Sequence, residues 1–319
     1  MRVQVLALDD VFDLGLAAVL DALQTANELA PAAGLDAPPF DVQVVGMRRR
    51  VRSAQGFAVP VVTPGRRRPD VLVVPALGFK MPGPLVQALN RRDVADAASF
   101  IAAAGRAGAR LCAACIGTFV LAESGALDGH AATTTWWLAP LFRQRYPAVQ
   151  LEASRMVVPS GRVVTAGAAL SHMDLALWLV RSVSPDLATL TARYLVVDAR
   201  PSQAAYAMSD HLAHSDPLVE RFERWARRHL AERFSLDAAA RASGTSTRTL
   251  ARRLALVLGR SPLAYVQDLR VERAVHLLRT TAQNVDTVAA AVGYADGVTL
   301  RTLLRRRQLG VRALRQGSR

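Results

Sequence analysis

The sequence predicts two folded parts of different class. The first is an α/β domain with a mostly parallel sheet and helices on both faces. The second is all-α and holds two helix-turn-helix units. Three observations predict this. Short aliphatic runs alternate with amphipathic segments over residues 1–200. One helical pattern is written twice between Ser235 and Leu314. The charge is uneven: residues 218–319 hold 20 Arg against 8 Asp and Glu, a net +12, whereas residues 1–217 carry only +2. A chain of 319 residues is long enough for two domains with full cores.

In the first part, strands are expected at Val3–Leu8, Phe40–Gly46, Val71–Pro75, Arg110–Ala114 and Val163–Thr165. Helices are expected at Asp13–Leu29, Pro84–Leu89, Val94–Ala104, Thr118–Glu123 and Leu170–Ser182. Strands that are apolar throughout, and separated by helices, imply a parallel sheet buried on both faces. Ligands in such sheets bind beyond the carboxyl ends of the strands. The fourth run leads directly into a helix through Cys112-Ala113-Ala114-Cys115-Ile116-Gly117. This pattern reads as an elbow, a strained turn that projects Cys115 beside helix N-terminal amides. There the thiol pKa would be lowered and an oxyanion could be held. The competing reading is a buried structural cysteine, since cysteine is among the most buried residue types.

Residues 201–217 are expected to be a linker, with prolines at both ends. Leu218, Phe222, Trp225, Ala226 and Leu230 then share a helical face and open the second part, 218–319. The first copy of the repeated pattern is Ser235 to Ala240, a break at Gly244-Thr245-Ser246, then Thr247 to Leu254; the second is Asn284 to Ala289, a break from Gly293 to Asp296, then Val298 to Arg305. Ser235 and Asn284 are N-cap residues, each with an Asp two places on, where the helix dipole favours an anion. Gly244 and Gly293 sit where a positive φ is needed to end a helix. Ser261-Pro262 starts a connecting helix that runs to Thr280. Such a helix would hold the two recognition helices about one DNA turn, roughly 34 Å, apart. The DNA-facing candidates are Thr247, Arg248, Thr249, Ala251, Arg252 and Arg253 in the first unit, and Gly297, Val298, Thr299, Arg301, Thr302 and Arg305 in the second. Arg248 and Arg252 can bond guanine edges, Arg301 can reach guanine or phosphate and Val298 can meet a thymine methyl, whereas Arg253, Arg305, Arg306 and Arg307 suit phosphates.

On these residues, 218–319 resembles the DNA-binding domain of AraC-family transcription regulators. The family's closing Gly-x-Ser-Pro segment is replaced by Gly310-Val311-Arg312-Ala313. Residues 1–200 resemble the DJ-1/PfpI superfamily, also called GATase1-like, which has a flavodoxin-like fold. The match rests on the elbow Cys115-Ile116-Gly117, on Leu121 to Gly129, on Thr133-Thr134-Thr135-Trp136, and on Asp13, which stands where the superfamily carries an acidic residue facing the elbow. Thr165-Ala166-Gly167 and Asp174-Leu175-Ala176-Leu177 fit the version of this domain that is fused to AraC-type domains. Catalytic members carry a His where this chain has Thr135, so nothing obvious takes a proton from Cys115.

The resemblance therefore implies a regulator and not an enzyme. Its first domain would sense a small molecule and mediate homodimerisation, with Asp13, Cys115, Ile116, Thr135, Trp136, His172 and Asp174 lining the pocket. Promoter double-stranded DNA is the expected partner, and RNA polymerase is a further one that such regulators admit. A Cys-dependent hydrolase or hydratase fused to a DNA-binding module is the alternative, and a vestigial first domain used only to dimerise is a third reading. No cofactor and no metal are expected. His211 and His214 have metal-compatible spacing but nothing nearby completes a site. Arg48-Arg49-Arg50 and Arg66-Arg67-Arg68 read as exposed loops. No apolar run reaches the length of a membrane span. Two cysteines offer no disulfide framework, and the expected compartment is the cytoplasm.

Overall fold

The computed structural model describes residues 1–65, 67–198, 200, 202–203, 216–281, 283–306 and 311. The chain divides into two compact units, Met1–Ala204 and Ala205–Arg319. Most of 201–217, His211 and His214, Arg66, the Arg306 side chain, Arg307, and the 310–315 segment apart from Val311 lie outside the described residues.

In the first unit the elements run in chain order as β1 (Arg2–Ala7), α1 (Asp13–Ala32), β2 (Asp41–Gly46), β3 (Val51–Arg52), β4 (Ala58–Val59), β5 (Val71–Val74), α2 (Pro82–Leu89), α3 (Arg92–Arg106), β6 (Arg110–Ala114) and α4 (Gly117–Glu123). They continue as β7 (Ala131–Ala132), α5 (Ala139–Arg145), β8 (Gln150–Leu151), β9 (Val157–Ser160), β10 (Val163–Ala166), α6 (Ser171–Val183) and α7 (Pro185–Tyr194). The main sheet has the order β2-β1-β5-β6-β10-β9. Its pairings are parallel except at β9, which runs antiparallel beside β10. The fold class is the expected one. The aliphatic strands were legible because both of their faces are buried: Val71 to Val74 are at most 1% exposed. One face of the sheet packs Val3, Val5, Val73, Cys112 and Val164 under α1, α6 and α7. Helices α2, α3 and α4 pack against each other and against β5 and β6.

The short strands β3, β4, β7 and β8, helix α5, and two longer elements, β9 and α7, are not among the elements expected from the sequence. Strand β9 contains Pro159, which argues against a central strand; here it sits on the sheet edge, where a missing N–H is tolerated. Helix α7 starts at Ser184-Pro185, a cap followed by Pro at the first helical position, with the Ser184 hydroxyl accepting from the Leu187 amide.

The second unit has α8 (Pro217–Arg228), α9 (Leu236–Ala242), α10 (Thr247–Leu258), α11 (Pro262–Thr280), α12 (Val285–Ala291) and α13 (Gly297–Arg306). Its helix starts are written in the sequence. Asp216, Ser235, Ser246, Ser261 and Asn284 each accept a backbone amide of the helix that follows them, at 2.8–3.3 Å. Asp296 does the same for Thr299 at 2.7 Å, and that amide holds its carboxyl below the usual range. Gly244 and Gly293 have φ of +69° and +82°, the left-handed conformation that ends α9 and follows α12. Two separate cores result. Phe222, Leu250, Leu254 and Leu258 pack with Tyr265, Val266 and Leu269. Val288, Leu300 and Leu304 pack with Val271, Ala274 and Leu278. Helix α11 therefore supplies one half of its length to each core.

Gly117, the first residue of α4, is placed where a side chain cannot go. A Cβ there would lie 2.2 Å from the Val74 carbonyl oxygen and 2.7 Å from that of Pro75. Gly117→Ala must push α4 off β5, and the expected loss is at least about 1–3 kcal/mol of stability, read by urea unfolding. A variant as stable as the wild type would show that this close approach is not a constraint.

Candidate nucleic-acid interface and the elbow site

The two recognition helices present unlike faces. On α10, Arg248 and Arg252 are exposed and four residues apart, while Leu250 and Leu254 are buried. Thr247, Thr249 and Ala251 are partly covered, and the Thr249 hydroxyl lies 3.0 Å from that of the cap Ser246. On α13, Val298, Thr299, Arg301, Thr302 and Arg305 are exposed, while Leu300 and Leu304 face the core. Val298 is 66% exposed, unusual for an aliphatic side chain and suited to an apolar contact with a base methyl. Gly297 is a correction to the expected contact set, because it is buried. Its amide donates to the Asp286 carboxylate at 2.9 Å, and a Cβ would lie 2.6 Å from the same oxygen. It positions α13 against α12. Arg253 is exposed, and it is engaged within the fold as well. Its Nε donates to the Asp216 carboxylate, which caps α8 as well. Burial pushes that carboxyl up, but the Val219 amide and the Arg253 guanidinium outweigh it and hold it below its ordinary range.

Sequence reasoning missed the residue that joins the two helix-turn-helix cores of the second unit. Arg270, near the middle of α11, is 7% exposed. Its Nε donates to the Leu230 carbonyl at 2.9 Å and its Nη1 to the Gly293 carbonyl at 3.0 Å, and its Nη2 donates to the Glu232 carbonyl. The guanidinium also lies 5.3 Å from the centre of the Tyr294 ring. Leu230 and Glu232 belong to the turn after α8, and Gly293 to the turn of the second helix-turn-helix. One buried cation therefore ties both turns to the connecting helix. Its only sequence signal is an Arg on the face of α11 that otherwise carries Val266, Leu269 and Ala274.

In the first unit the elbow is present in the backbone. Cys115 has φ +55°, a conformation that non-glycine residues rarely adopt. Its amide donates to the Ala166 carbonyl at 2.9 Å, and its own carbonyl accepts from the Thr134 hydroxyl at 2.7 Å. The chemistry differs from expectation. Cys115 and Ile116 are 3% and 2% exposed. Burial pushes the thiol up to about 12, against the opposing pull of the Ile116 amide, Lys80 and Thr135. Asp13 does not turn to the thiol; its carboxylate accepts the Gln55 amide at 3.1 Å.

The other expected lining residues are distributed as follows. Thr135 is fully buried, and Trp136 lies in a short 3₁₀ turn, edge-on to Trp137. His172 is a correction: it is fully buried and structural. Its Nε2 accepts the Ala76 amide at 3.0 Å and its Nδ1 donates to the Ala169 carbonyl at 2.7 Å, while its ring sits against Gly15, where a Cβ would be 2.6 Å away. Asp174 pairs with Arg200, and burial raises its carboxyl despite that partner. Gln203 was not singled out in the sequence, yet it is 1% exposed and donates to the Thr134 and Ala153 carbonyls, both at 2.8 Å. It seals the segment that holds Cys115.

These elements define an α/β unit joined to a double helix-turn-helix module. Comparison with known proteins agrees. Residues 239–309 match the family described as helix-turn-helix domain. The chain is 24% identical over 212 residues to the HTH-type transcriptional regulator GbdR of Pseudomonas aeruginosa, covering 65% of this chain and 58% of that protein. It is 33% identical over 129 residues to the HTH-type transcriptional activator RhaS of Enterobacter sp., covering 40% and 45%. The chain thus spans less than two thirds of the length of these curated relatives. A crystal structure of an AraC family transcriptional regulator from Pseudomonas putida shares the α/β fold, with a TM-score of 0.51 and 20% identity over 61% of this chain and 98% of that one.

Two outcomes follow from this geometry. The His172 imidazole is held neutral down to about pH 4, whereas the unfolded chain takes up its proton near 6.5. Its contribution is therefore whole above pH 6.5 and is lost as pH falls towards 4, amounting to about 2 kcal/mol at pH 5. Urea unfolding at pH 7.5 and 5.0 should show this loss in the wild type and not in His172→Gln; equal pH slopes would contradict it. Arg270→Ala leaves three carbonyls without their donor. It should weaken binding to a duplex with two half-sites at least about tenfold, while binding to a single half-site changes less than about threefold, read by fluorescence anisotropy.

Proposed function

We propose that the chain is a sequence-specific DNA-binding transcription regulator, in which residues 218–319 bind promoter DNA and residues 1–200 form the sensing and dimerisation domain. The observation that carries the reading is the pair of recognition helices on one shared helix, α11. Each has a buried leucine face, and their exposed faces differ: Arg248 and Arg252 on one, Val298, Arg301, Thr302 and Arg305 on the other. Two unlike faces read two unlike half-sites, so the operator is asymmetric within one chain's footprint. The net +12 of this part supplies the salt-sensitive attraction to phosphate. The printed names of the relatives, transcriptional regulators and an activator, point the same way.

The first domain acts without turnover in this reading. Burial pushes the Cys115 thiol up to about 12, which favours the un-ionised form at neutral pH. Asp13 is turned to Gln55, and no imidazole stands at position 135. Both observations weigh towards sensing over the hydrolase or hydratase alternative. A homodimer would double the footprint and add avidity; contact with RNA polymerase and a cytoplasmic setting belong to the same proposal.

The test is an anisotropy titration of a labelled fragment from the gene's upstream region, with random DNA as competitor. Arg252→Ala should weaken specific binding about 5- to 100-fold, the range of one good bidentate contact to guanine. Its non-specific binding should fall much less. Equal loss on both kinds of DNA would remove Arg252 from base reading, and no preference for the fragment by the wild type would remove the operator.

A further inference from the structure

We infer that the first unit carries a binding site for a small polyanion, a metabolite with two or more phosphate or carboxylate groups, in an arginine-lined groove away from the elbow. The site deepens the sensor reading above and rests on it only for its consequence, not for its existence.

The groove has a volume of about 650 Å³, in the range of small-molecule sites. It is lined by the run Arg48-Arg49-Arg50, just beyond the end of β2, by Asp9, just beyond β1, and by Arg91, Arg92 and Asp93 around the start of α3. Its place in the topology is informative. From β1 the chain passes through α1 to β2 on one side of it, and β5 lies on the other side. Helix α1 packs with α6 and α7, whereas the helices after β5 pack as a separate set. The strand order therefore reverses beside β1, and open α/β sheets bind ligands beyond the strands' carboxyl ends at such a reversal.

The charges inside the groove are unbalanced. Arg91 is held in place by ion pairs with Asp10 and Asp93 and by a bond to the Asp9 carbonyl. That uses the two carboxylates nearest the helix start. Asp9 itself accepts the Arg52 amide at 3.0 Å. Arg48, Arg49, Arg50 and Arg92 have no ion pair among the described residues, and Arg48 to Arg50 are exposed. Four unpaired guanidiniums that converge on one concave surface repel each other, and an anion relieves that repulsion. Guanidinium is also the side chain best matched to phosphate or carboxylate in a two-pronged contact. The start of α3 adds donors. Its first-turn amides have no intrahelical acceptor, and Arg91, the N-cap residue, makes no side-chain cap.

The experiment is isothermal titration of the full chain with inorganic pyrophosphate and with citrate, at 50 and 200 mM salt. Two double variants are compared: Arg49→Ala/Arg50→Ala in the groove, and Arg67→Ala/Arg68→Ala in another exposed loop. Saturable binding of one probe per chain is expected, weakened at least tenfold by the groove variant and less than twofold by the control. Which probe binds more tightly decides between phosphate and carboxylate. No saturable binding of either probe overturns the site. So does equal loss in both variants, which would mean diffuse attraction to a basic surface. A groove variant that changes only the salt dependence of DNA binding overturns it in favour of a DNA contact. Finally, DNA affinity is measured with and without the tighter probe. If the probe binds in the groove and DNA affinity is unchanged, the site stands and the sensor reading of this domain fails.

Discussion

The arrangement of the C-terminal unit depends on one buried guanidinium. Arg270 donates to carbonyls in two turns that are far apart in sequence, the one after α8 and the one inside the second helix-turn-helix. A charge at 7% exposure is tolerated because its donors find acceptors and its face lies on Tyr294. Lysine could not replace it, since a single ammonium has neither the planar fork nor the reach to meet three separate acceptors. Gly293 completes the contact: its φ of +82° exposes the carbonyl to Arg270, and a Cβ there would lie 2.7 Å from Nη2 and 2.8 Å from the Leu230 oxygen. Helix α11 spans roughly 28 Å at the usual rise per residue, and it gives half its length to each core. Two small helical clusters that would be marginal alone are joined through one continuous helix and one buried cation. The functional proposal rests on that shared helix.

The first unit shows how little a backbone motif says about chemistry. Its strand-to-helix elbow is formed, with Cys115 in the left-handed region and Gly117 tight against the Val74 carbonyl. The groups that would make the thiol reactive are arranged otherwise. Burial dominates the helix-start amide, Asp13 has turned to Gln55, and position 135 is a hydroxyl. The same region is tied to the chain's exit from the unit. Gln203 fills the space against Gly167 and bonds the Thr134 carbonyl, while the Thr134 hydroxyl bonds the Cys115 carbonyl. The elbow is thus a packed joint beside the point where the chain leaves towards the DNA-binding part.

Features fixed by local chemistry were legible in the sequence. Ser235, Asn284 and Ser261 cap helices, Gly244 and Gly293 take positive φ, and aliphatic runs are strands, because each depends on neighbours within a few residues. Features fixed by partners distant along the chain were not. Nothing local marks Arg270, because its acceptors lie 40, 38 and 23 residues away. His172 was grouped with pocket residues, but its Ala76 partner is 96 residues away and turns it into a structural strut. Arg253 also pairs with Asp216, a partner 37 residues away along the chain. The arginine run 48–50 read as a solvated loop because the arginines that line the same groove, around the start of α3, are more than forty residues further on.

The most direct test of the central claim is hydroxyl-radical footprinting of the full chain on its bound upstream fragment. Each chain should protect two patches on one face of the duplex, about one helical turn apart, centred on two unlike sequences. A single protected patch per chain, or protection spread without phase along the fragment, would contradict a rigid pair of reading heads held by α11.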